Sequence, residues 1–278
     1  MKVVHHYYIE FDREVFDILS GNNIKVKVDD PNNAIGNTKM IFDICHEPDD
    51  LSLINRIPYS SSCSWLHFSK EEIACADWLY MYPNTPMLES RDSSTIEFLC
   101  KIQTSVGNFI QEGAYHQKQV KPFSLTPPKW TNRNHLYSAY EGDNFIFCDD
   151  FFKRLIEDNG LIGLRFAPVI WWKKNTTLPD THQLNITNCL PHEAIVVTDM
   201  MKEFKCPFCG RQKYEFDSLF RLHLRGEFLD KSVDFYKTPE IFGTGREHYL
   251  LVVSHRVYSL MSSLKIERSW NFHPVIIH

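Results

Sequence analysis

The sequence has few of the patterns that identify a membrane protein or a secreted protein. No apolar run in the 278 residues approaches the roughly 18 that a membrane-spanning helix needs. Residues 1–10 (MKVVHHYYIE) hold no continuous apolar segment of the kind found in a secretion signal. These absences predict a cytoplasmic protein.

Motifs of the common enzyme classes are also missing. The chain has no GxSxG nucleophile elbow, no P-loop, no HExxH and no protein-kinase signature. Gly243-Thr244-Gly245 lacks the third glycine of a dinucleotide-binding fingerprint and predicts a turn. We therefore expect no enzymatic activity. A hydrolase whose site is assembled through space is the alternative in this class.

Cysteine is not arranged as in a small disulfide-stapled protein. The eight cysteines are scattered through a long chain, and six of them stand alone in mixed or apolar surroundings. Isolated cysteines of this kind are usually buried, reduced thiols. The sequence therefore predicts a reducing compartment and leaves one close pair, Cys206 and Cys209, to be explained.

The composition that is present is that of a globular protein, with 43% hydrophobic and 23% charged residues. The net charge of −5 argues against a general nucleic-acid-binding role. From residue 201 onward there are 12 Lys and Arg against 9 Asp and Glu, and before it 18 against 26. The acidic first part suits a basic partner, although an ordinary solvated surface has the same balance.

Hydrophobic patterns predict an α+β fold with mixed sheets and short helices. A Pro-rich stretch, residues 117–137, suggests a division into an N-terminal α+β region, 1–120, and a C-terminal duplicated α/β region, 121–278. Alternating segments predict strands at 3–11, 24–28 and 39–45. Helical patterns predict helices at 13–19, from Ser69 to before Pro83, and from Ser93 or Ser94 to about Gln111.

The C-terminal half contains an internal repeat at a spacing of about 105 residues. The segments Asn144–Trp172 and Tyr249–Ile277 each read as a short apolar strand, a polar helix start (Asp149-Asp150 or Ser254), a short amphipathic helix and a closing strand. Both closing strands contain Phe-x-Pro-Val-Ile, at Phe166–Ile170 and Phe272–Ile276. Because proline has no N–H to donate, each proline should lie at a sheet edge or a bulge.

The sharpest local motif is Cys206-Pro207-Phe208-Cys209-Gly210. Two thiolates separated by two residues can hold a tetrahedral zinc ion, and the following glycine relieves the tight turn. Upstream, Cys189 and His192 form a C-x2-H pair that would complete Cys3His coordination, with residues 194–198 (AIVVT) as a strand between the pairs. The candidate metal ligands are therefore Cys206, Cys209, Cys189 and His192, with His223 as a rival fourth ligand. A structural zinc ion is the candidate cofactor, and a knuckle that has lost its metal is the alternative.

Trp171 and Trp172 follow the first repeat as an aromatic pair on opposite faces of a strand. This arrangement predicts that one ring packs in the core while the other is free to anchor a partner.

The segment FYKTPEIFGTGREHYLLVVSHRVYSLMSSLKIERSWNFHPV, residues 235–275, resembles the C-terminal part of bacterial double-CXXCG-motif proteins. That group is linked to immunity proteins that neutralise polymorphic or contact-dependent toxins. The segment FFKRLIEDNGLIGLRFAPV, residues 151–169, looks like the closing part of a related immunity-like family. The resemblance covers roughly residues 140–278, and the chain departs from it by having one CxxCG where the family name implies two.

Two functions compete on these grounds. The resemblance implies a non-catalytic immunity protein that binds a cognate protein toxin, with no membrane involvement. The alternative is a zinc-ribbon nucleic-acid-binding protein, which Lys202, Lys205, Arg211 and Lys213 around the knuckle favour and the negative net charge opposes.

Overall fold

The structure, a computed structural model, has the α+β architecture that the sequence predicts, with four short α-helices and mostly antiparallel strands in its described part. Described are residues 1–10, 13–28, 39–46, 62–83, 88–106, 109–139, 142–206, 210–216, 220–243 and 248–278. The chain divides into two compact units, residues 1–72 with 217–220, and residues 73–216 with 221–278. Position 120, where the Pro-rich stretch suggests a boundary, lies inside the second unit.

The first unit is an antiparallel sheet covered by one helix. Its elements are β1 (Lys2–Glu10), α1 (Arg13–Gly21), β2 (Val26–Val28), β3 (Lys39–His46) and β4 (Ser62–His67). The strand order is β2-β3-β1-β4. Buried Val15 and Leu19 of α1 pack with Tyr7, Phe42 and Ile44 of the sheet. The strands and the helix predicted in these segments are confirmed.

The helix predicted after Ser69 begins where expected but is much shorter. In α2 (Lys70–Ala74), the Ser69 hydroxyl accepts the Glu72 amide (3.1 Å) and the Glu72 carboxylate accepts the Ser69 amide (2.8 Å). This reciprocal pair is a capping box. The predicted continuation toward Pro83 is wrong, because Trp78–Pro83 forms a strand, β5, that lies at the centre of a sheet. Tertiary pairing therefore overrides the helical spacing there.

The second unit contains the remaining strands and two further helices. These are β6 (Ile96–Val106), β7 (Phe109–Gln119), β8 (Ser124–Leu125), β9 (Leu136–Ala139), β10 (Gly142–Asp149), α3 (Asp150–Asp158), β11 (Leu164–Trp171), β12 (Thr176–Ile186), β13 (Met201–Lys205), β14 (Gln212–Phe216), β15 (His223–Leu224), β16 (Phe235–Lys237), β17 (Leu251–Ser254), α4 (His255–Ser263), β18 (Trp270–Pro274) and β19 (Ile276–Ile277).

The long helix predicted from residue 93 or 94 to about 111 is wrong, since β6 and β7 form an antiparallel hairpin. The segment IEFLCKIQTSV, residues 96–106, alternates Ile, Phe, Cys, Ile, Thr and Val with other residues at every second position. That is a strand period, and β-branched residues favour it. Leu99, the one apolar residue at an odd position of this segment, obscured the pattern in the sequence.

The repeat is confirmed, and it is larger than the sequence shows. The first copy is a five-stranded sheet ordered β8-β11-β12-β10-β9. The second copy has a four-stranded sheet ordered β18-β5-β17-β16. A separate two-stranded sheet, β15-β19, corresponds to the pair β8-β11, because β19 continues the chain after β18. Each matching pair of strands has the same direction, including the short parallel contacts β8–β11 and β15–β19. The two copies thus share one topology.

Both repeat helices also end in the same way. After α3, the Leu161 amide donates to Ile156 O (3.0 Å), and Gly160 has a φ of 58°. After α4, the Ile266 amide donates to Met261 O (3.1 Å), and Lys265 has a φ of 58°. These are matching left-handed C-terminal caps at a constant offset of 105 residues.

The prolines behave as predicted. Pro168 lies in β11 at a register shift between Pro168 and Ile170, which is a bulge against β12. Pro274 is the last residue of β18, the edge strand of its four-stranded sheet, and the chain then pairs with β15 through Ile276. In each copy the proline therefore marks the point where the closing strand changes its hydrogen-bonding register or partner.

The copies differ in the origin of their central strand. In the first copy, β12 follows β11 directly in the chain. In the second copy the same place is taken by β5, which precedes the whole duplicated region. Both sheets and both helices nevertheless contribute to one core, which includes Met81, Phe152, Leu184, Val257 and Phe272.

Candidate binding surface

The CPFCG motif lies at the connection between β13 and β14, which pair as an antiparallel hairpin. The Cys206 amide donates to Arg211 O (2.9 Å), and the Gly210 amide donates to Cys206 O (2.8 Å). Gly210 has a φ of 69°, so the predicted role of the glycine in the turn is confirmed. The Cys206 side chain is buried. Cys209 lies outside the described residues.

The other predicted ligands lie on separate segments. The Cys189 thiol lies beside the carbonyl oxygens of Leu190 (3.5 Å) and Thr238 (3.9 Å), and burial raises its pKa above the usual range. His192 is exposed and is the first residue of a 3-10 turn (His192–Ala194) whose last residue, Ala194, is buried. The predicted strand at 194–198 is wrong, since that segment has only an isolated bridge from Ile195 to Leu224.

Within the described part of the chain, no three His, Cys, Asp or Glu side chains are grouped as ligands for a metal ion. Cys189, His192 and Cys206 thus form no such group. The rival ligand His223 instead places its Nδ1 2.8 Å from Nε2 of His278. The zinc site at Cys206 and Cys209 stays a prediction.

Trp171 is the last residue of β11 and Trp172 is the first residue of the turn that follows, so the pair does not lie on opposite faces of one strand as predicted. The two rings nevertheless have the different surroundings that the sequence predicts. Trp171 is partly buried against the core cluster that includes Phe123, Phe147 and Val169. Trp172 leaves 44% of its surface exposed. Tryptophan is enriched among the residues that dominate binding at protein interfaces.

The connection between β11 and β12, residues 172–175, is here called the tip. Its backbone is held by hydrogen bonds from the Lys174 and Asn175 amides to Trp171 O (3.1 and 2.8 Å) and from the Trp172 amide to Leu125 O (3.1 Å). Asn175 has a φ of 51°, a conformation that asparagine tolerates better than most residues. The Trp172 indole N–H also donates to Thr126 Oγ1 (3.1 Å). Hydrogen bonds from the backbone and from the Trp172 side chain therefore hold the tip in place.

Two lysines surround the indoles. The Lys173 ammonium lies 5.5 Å from the centre of the Trp172 ring, and that of Lys174 lies 4.0 Å from the Trp171 ring. Both distances are within the range of cation–π attraction. Both lysines are exposed, and among the described residues neither has a carboxylate within 4.0 Å. The tip thus presents one aromatic face and two uncompensated positive charges.

Two His–Asp pairs at the start of α3 could not be predicted from the sequence. His135 Nδ1 lies 2.7 Å from Asp149 Oδ2, while Asp149 Oδ1 caps the helix by accepting the Phe152 amide (2.9 Å). His182 Nε2 lies 2.7 Å from Asp150 Oδ1. The Asp149-Asp150 pattern predicted the helix start, but their histidine partners come from β12 and from the residue before β9. These contacts tie neighbouring strands to the helix.

A Ser–His contact on α4 is the nearest approach to a hydrolase site. Ser259 Oγ lies 2.8 Å from His255 Nε2. The other ring nitrogen, His255 Nδ1, is buried and has no hydrogen-bond partner among the described residues. In a catalytic triad that nitrogen is oriented by a carboxylate. This pair therefore does not have triad geometry.

Neither the models of known protein families nor the curated proteins match this chain in sequence. Across the described residues, no helix is both long and apolar enough to cross a membrane.

Proposed function

We propose that this protein is a non-catalytic binding protein that acts as an immunity protein in the cytoplasm and neutralises a cognate bacterial toxin by direct binding. The observation that carries the proposal is the tip, where Trp172 is exposed and yet held in place. Tryptophan is among the residues that most often dominate the binding energy of protein interfaces.

The fixed position of Trp172 matters for affinity. Its backbone amide is bonded to β8 and its indole N–H to Thr126. A side chain that is already ordered loses little conformational entropy when a partner covers it. Neutralisation by covering a toxin's surface needs complementarity of shape and charge and no chemical step. The resemblance of residues 140–278 to immunity families supports the same function.

The test is affinity capture of the tagged full-length protein from cells of its source, followed by mass spectrometry of what is retained. We expect one stoichiometric protein that stays bound in high salt and is toxic when expressed alone. Co-expression of the immunity protein should restore growth. Trp172→Ala should weaken binding of that protein by about 2 kcal/mol or more, which is the loss expected at an interface hot spot.

Leu264→Ala is the matched control, because Leu264 is an equally exposed apolar residue (43%) in the second copy. It should leave partner binding unchanged, and circular dichroism should show that both variants are folded. Capture of no stoichiometric protein, or of a partner without toxicity, would contradict the immunity function. Equal loss of binding in the two variants would show that the tip is not part of the interface.

A further inference from the structure

We infer that the tip recognises a carboxylate-rich segment of the partner protein, with an apolar side chain of that segment against Trp172. This inference rests on the proposed function, since it assigns the chemistry of the surface that the partner offers. The two exposed ammonium groups of Lys173 and Lys174 carry it, together with the partly exposed indole of Trp172.

Among the described residues, no carboxylate lies within 4.0 Å of the Lys173 or Lys174 ammonium group, whereas Lys121 has Asp92 (3.1 Å) and Lys237 has Glu240 (3.7 Å). Each of the two ammonium groups at the tip instead lies over an indole ring. An indole face orients an ammonium group but uses none of its N–H donors. Both groups therefore keep donors for carboxylate oxygens of a partner.

The geometry also specifies an amphipathic ligand. Lys173 and Trp172 are adjacent in the chain, and the ammonium lies 5.5 Å from the ring centre. A single ligand segment can thus place a carboxylate on the ammonium and an apolar side chain on the exposed part of the indole. Such a segment has acidic residues next to aromatic or aliphatic ones.

A nucleic-acid strand would also combine negative charge with stacking bases, but the surface fits it less well. Nucleic-acid affinity comes from many phosphate contacts, typically about 6–10 for a duplex-binding protein. The tip offers two lysines on a chain with a net charge of −5. The short, two-charge site therefore favours an acidic protein segment.

The experiment is a fluorescence-anisotropy titration of the full-length protein with three labelled probes. These are a peptide that repeats Glu-Gly-Phe-Glu, the same peptide with Gln in place of Glu, and an oligothymidylate strand of similar length. We expect binding of the acidic peptide at low salt, at least about tenfold weaker binding of the Gln peptide, and weaker binding of oligothymidylate than of the acidic peptide.

The variant pair Lys173→Gln with Lys174→Gln should weaken acidic-peptide binding at least about tenfold, because both positive charges are lost. Lys202→Gln with Lys205→Gln is the matched control, since these lysines are also exposed and also lie at a hairpin of the second unit. The control should bind the peptide like the unmodified protein.

Equal losses in the two double variants would show general charge attraction and overturn the inference. Tighter binding of oligothymidylate than of the acidic peptide would assign the tip to nucleic acid. No binding of the acidic peptide by the unmodified protein would also overturn it. If the captured partner still binds the Lys173→Gln, Lys174→Gln protein with full affinity, the inference fails while the immunity function stands. If the peptide binds but no toxic partner exists, the function fails while the chemistry of the tip stands.

Discussion

The two copies of the repeat have the same strand order and the same C-terminal helix caps, but only the first copy has the tip. The reason lies in their central strands. In the first copy β12 follows β11, so a tight connection must join them, and this connection contains Trp172, Lys173 and Lys174. In the second copy the central strand is β5, and no such connection is needed. The difference in chain connectivity therefore accounts for the presence of the tip in the first copy alone.

The substitution that we expect to change the free energy of unfolding most is at Gly163, in the first copy. Its φ is 119°, and a Cβ atom there would collide with the carbonyl oxygen of Phe235. Gly163→Ala should destabilise the protein by about 3 kcal/mol or more, the combined cost of backbone strain and overpacking. Urea unfolding measures the free energy.

Arg268 is the control for that variant, because it lies 105 residues after Gly163 and is exposed. Arg268→Ala should change the free energy of unfolding by less than about 0.5 kcal/mol. If Gly163→Ala lowers the free energy of unfolding as little as Arg268→Ala does, the close approach of the Phe235 carbonyl oxygen to Gly163 is wrong.

The second prediction concerns pH. His273 of the second copy occupies the position that Ala167 has in the first, and burial, with a contribution from the Arg221 charge, lowers the pKa of His273 to about 4. The unfolded chain takes up this proton near pH 6.5, before the folded protein does. Stability is therefore complete above about pH 6.5 and should fall by roughly 3 kcal/mol as the pH decreases to 4.

His273→Ala makes the second copy like the first at this position and should remove most of that pH-dependent loss. It also removes the contact between His273 Nε2 and the Tyr82 hydroxyl (3.1 Å), so its stability at pH 7 should be lower. The quantity to compare is the change in unfolding free energy between pH 7 and pH 4. An unchanged difference in the variant would mean that other groups, such as His223, whose pKa burial also lowers, account for the loss.

The smallest effect, and the sharpest comparison, is at the matching helix caps. Gly160 and Lys265 have the same φ of 58°, which costs a lysine side chain more than a glycine. Gly160→Ala should destabilise by about 1 kcal/mol, and Lys265→Gly should stabilise by up to about 1 kcal/mol.

No heavy atom lies within 4 Å of a Cβ built at Gly160, so the stability change in Gly160→Ala reports backbone strain and not a steric clash. Thermal unfolding monitored by circular dichroism is sufficient. Shifts of the same sign in the two variants would show that the caps are not equivalent.

Local patterns were sufficient to predict several elements. The cap at Ser69, the helix start at Asp149, the repeat and the prolines at strand irregularities all rest on chemistry within a few residues. The prediction failed at residues 78–83 because distant partners decide the structure there. This segment has helical spacing but pairs with β17 and β18, which no pattern within it reveals. The prediction at residues 96–106 failed although a strand period was present, and the partner strand β7 is the next segment of the chain.

The candidate site shows the same limit. The different surroundings of Trp171 and Trp172 were predicted, but the reason was not, because Trp171 ends β11 and Trp172 begins the turn that follows it. The lack of carboxylates near Lys173 and Lys174 among the described residues depends on the whole surface and was not predictable. The contact of Ser254 Oγ with Asp234 Oδ1 (2.7 Å) is similar, because the sequence predicted Ser254 as a helix start and could not show that its hydroxyl serves another segment.

The origin of β5 also has a consequence for biosynthesis. The strands of the first copy come from one continuous stretch, residues 124–186, and can pair as soon as that stretch leaves the ribosome, although their core is completed only by the second copy. The second copy must wait, because β5 pairs with strands that are synthesised about 170 residues later. Until then β5, with Trp78 and Leu79, is a strand without its neighbours and is prone to mispairing. We therefore expect refolding in two kinetic phases, with the second copy in the slower one.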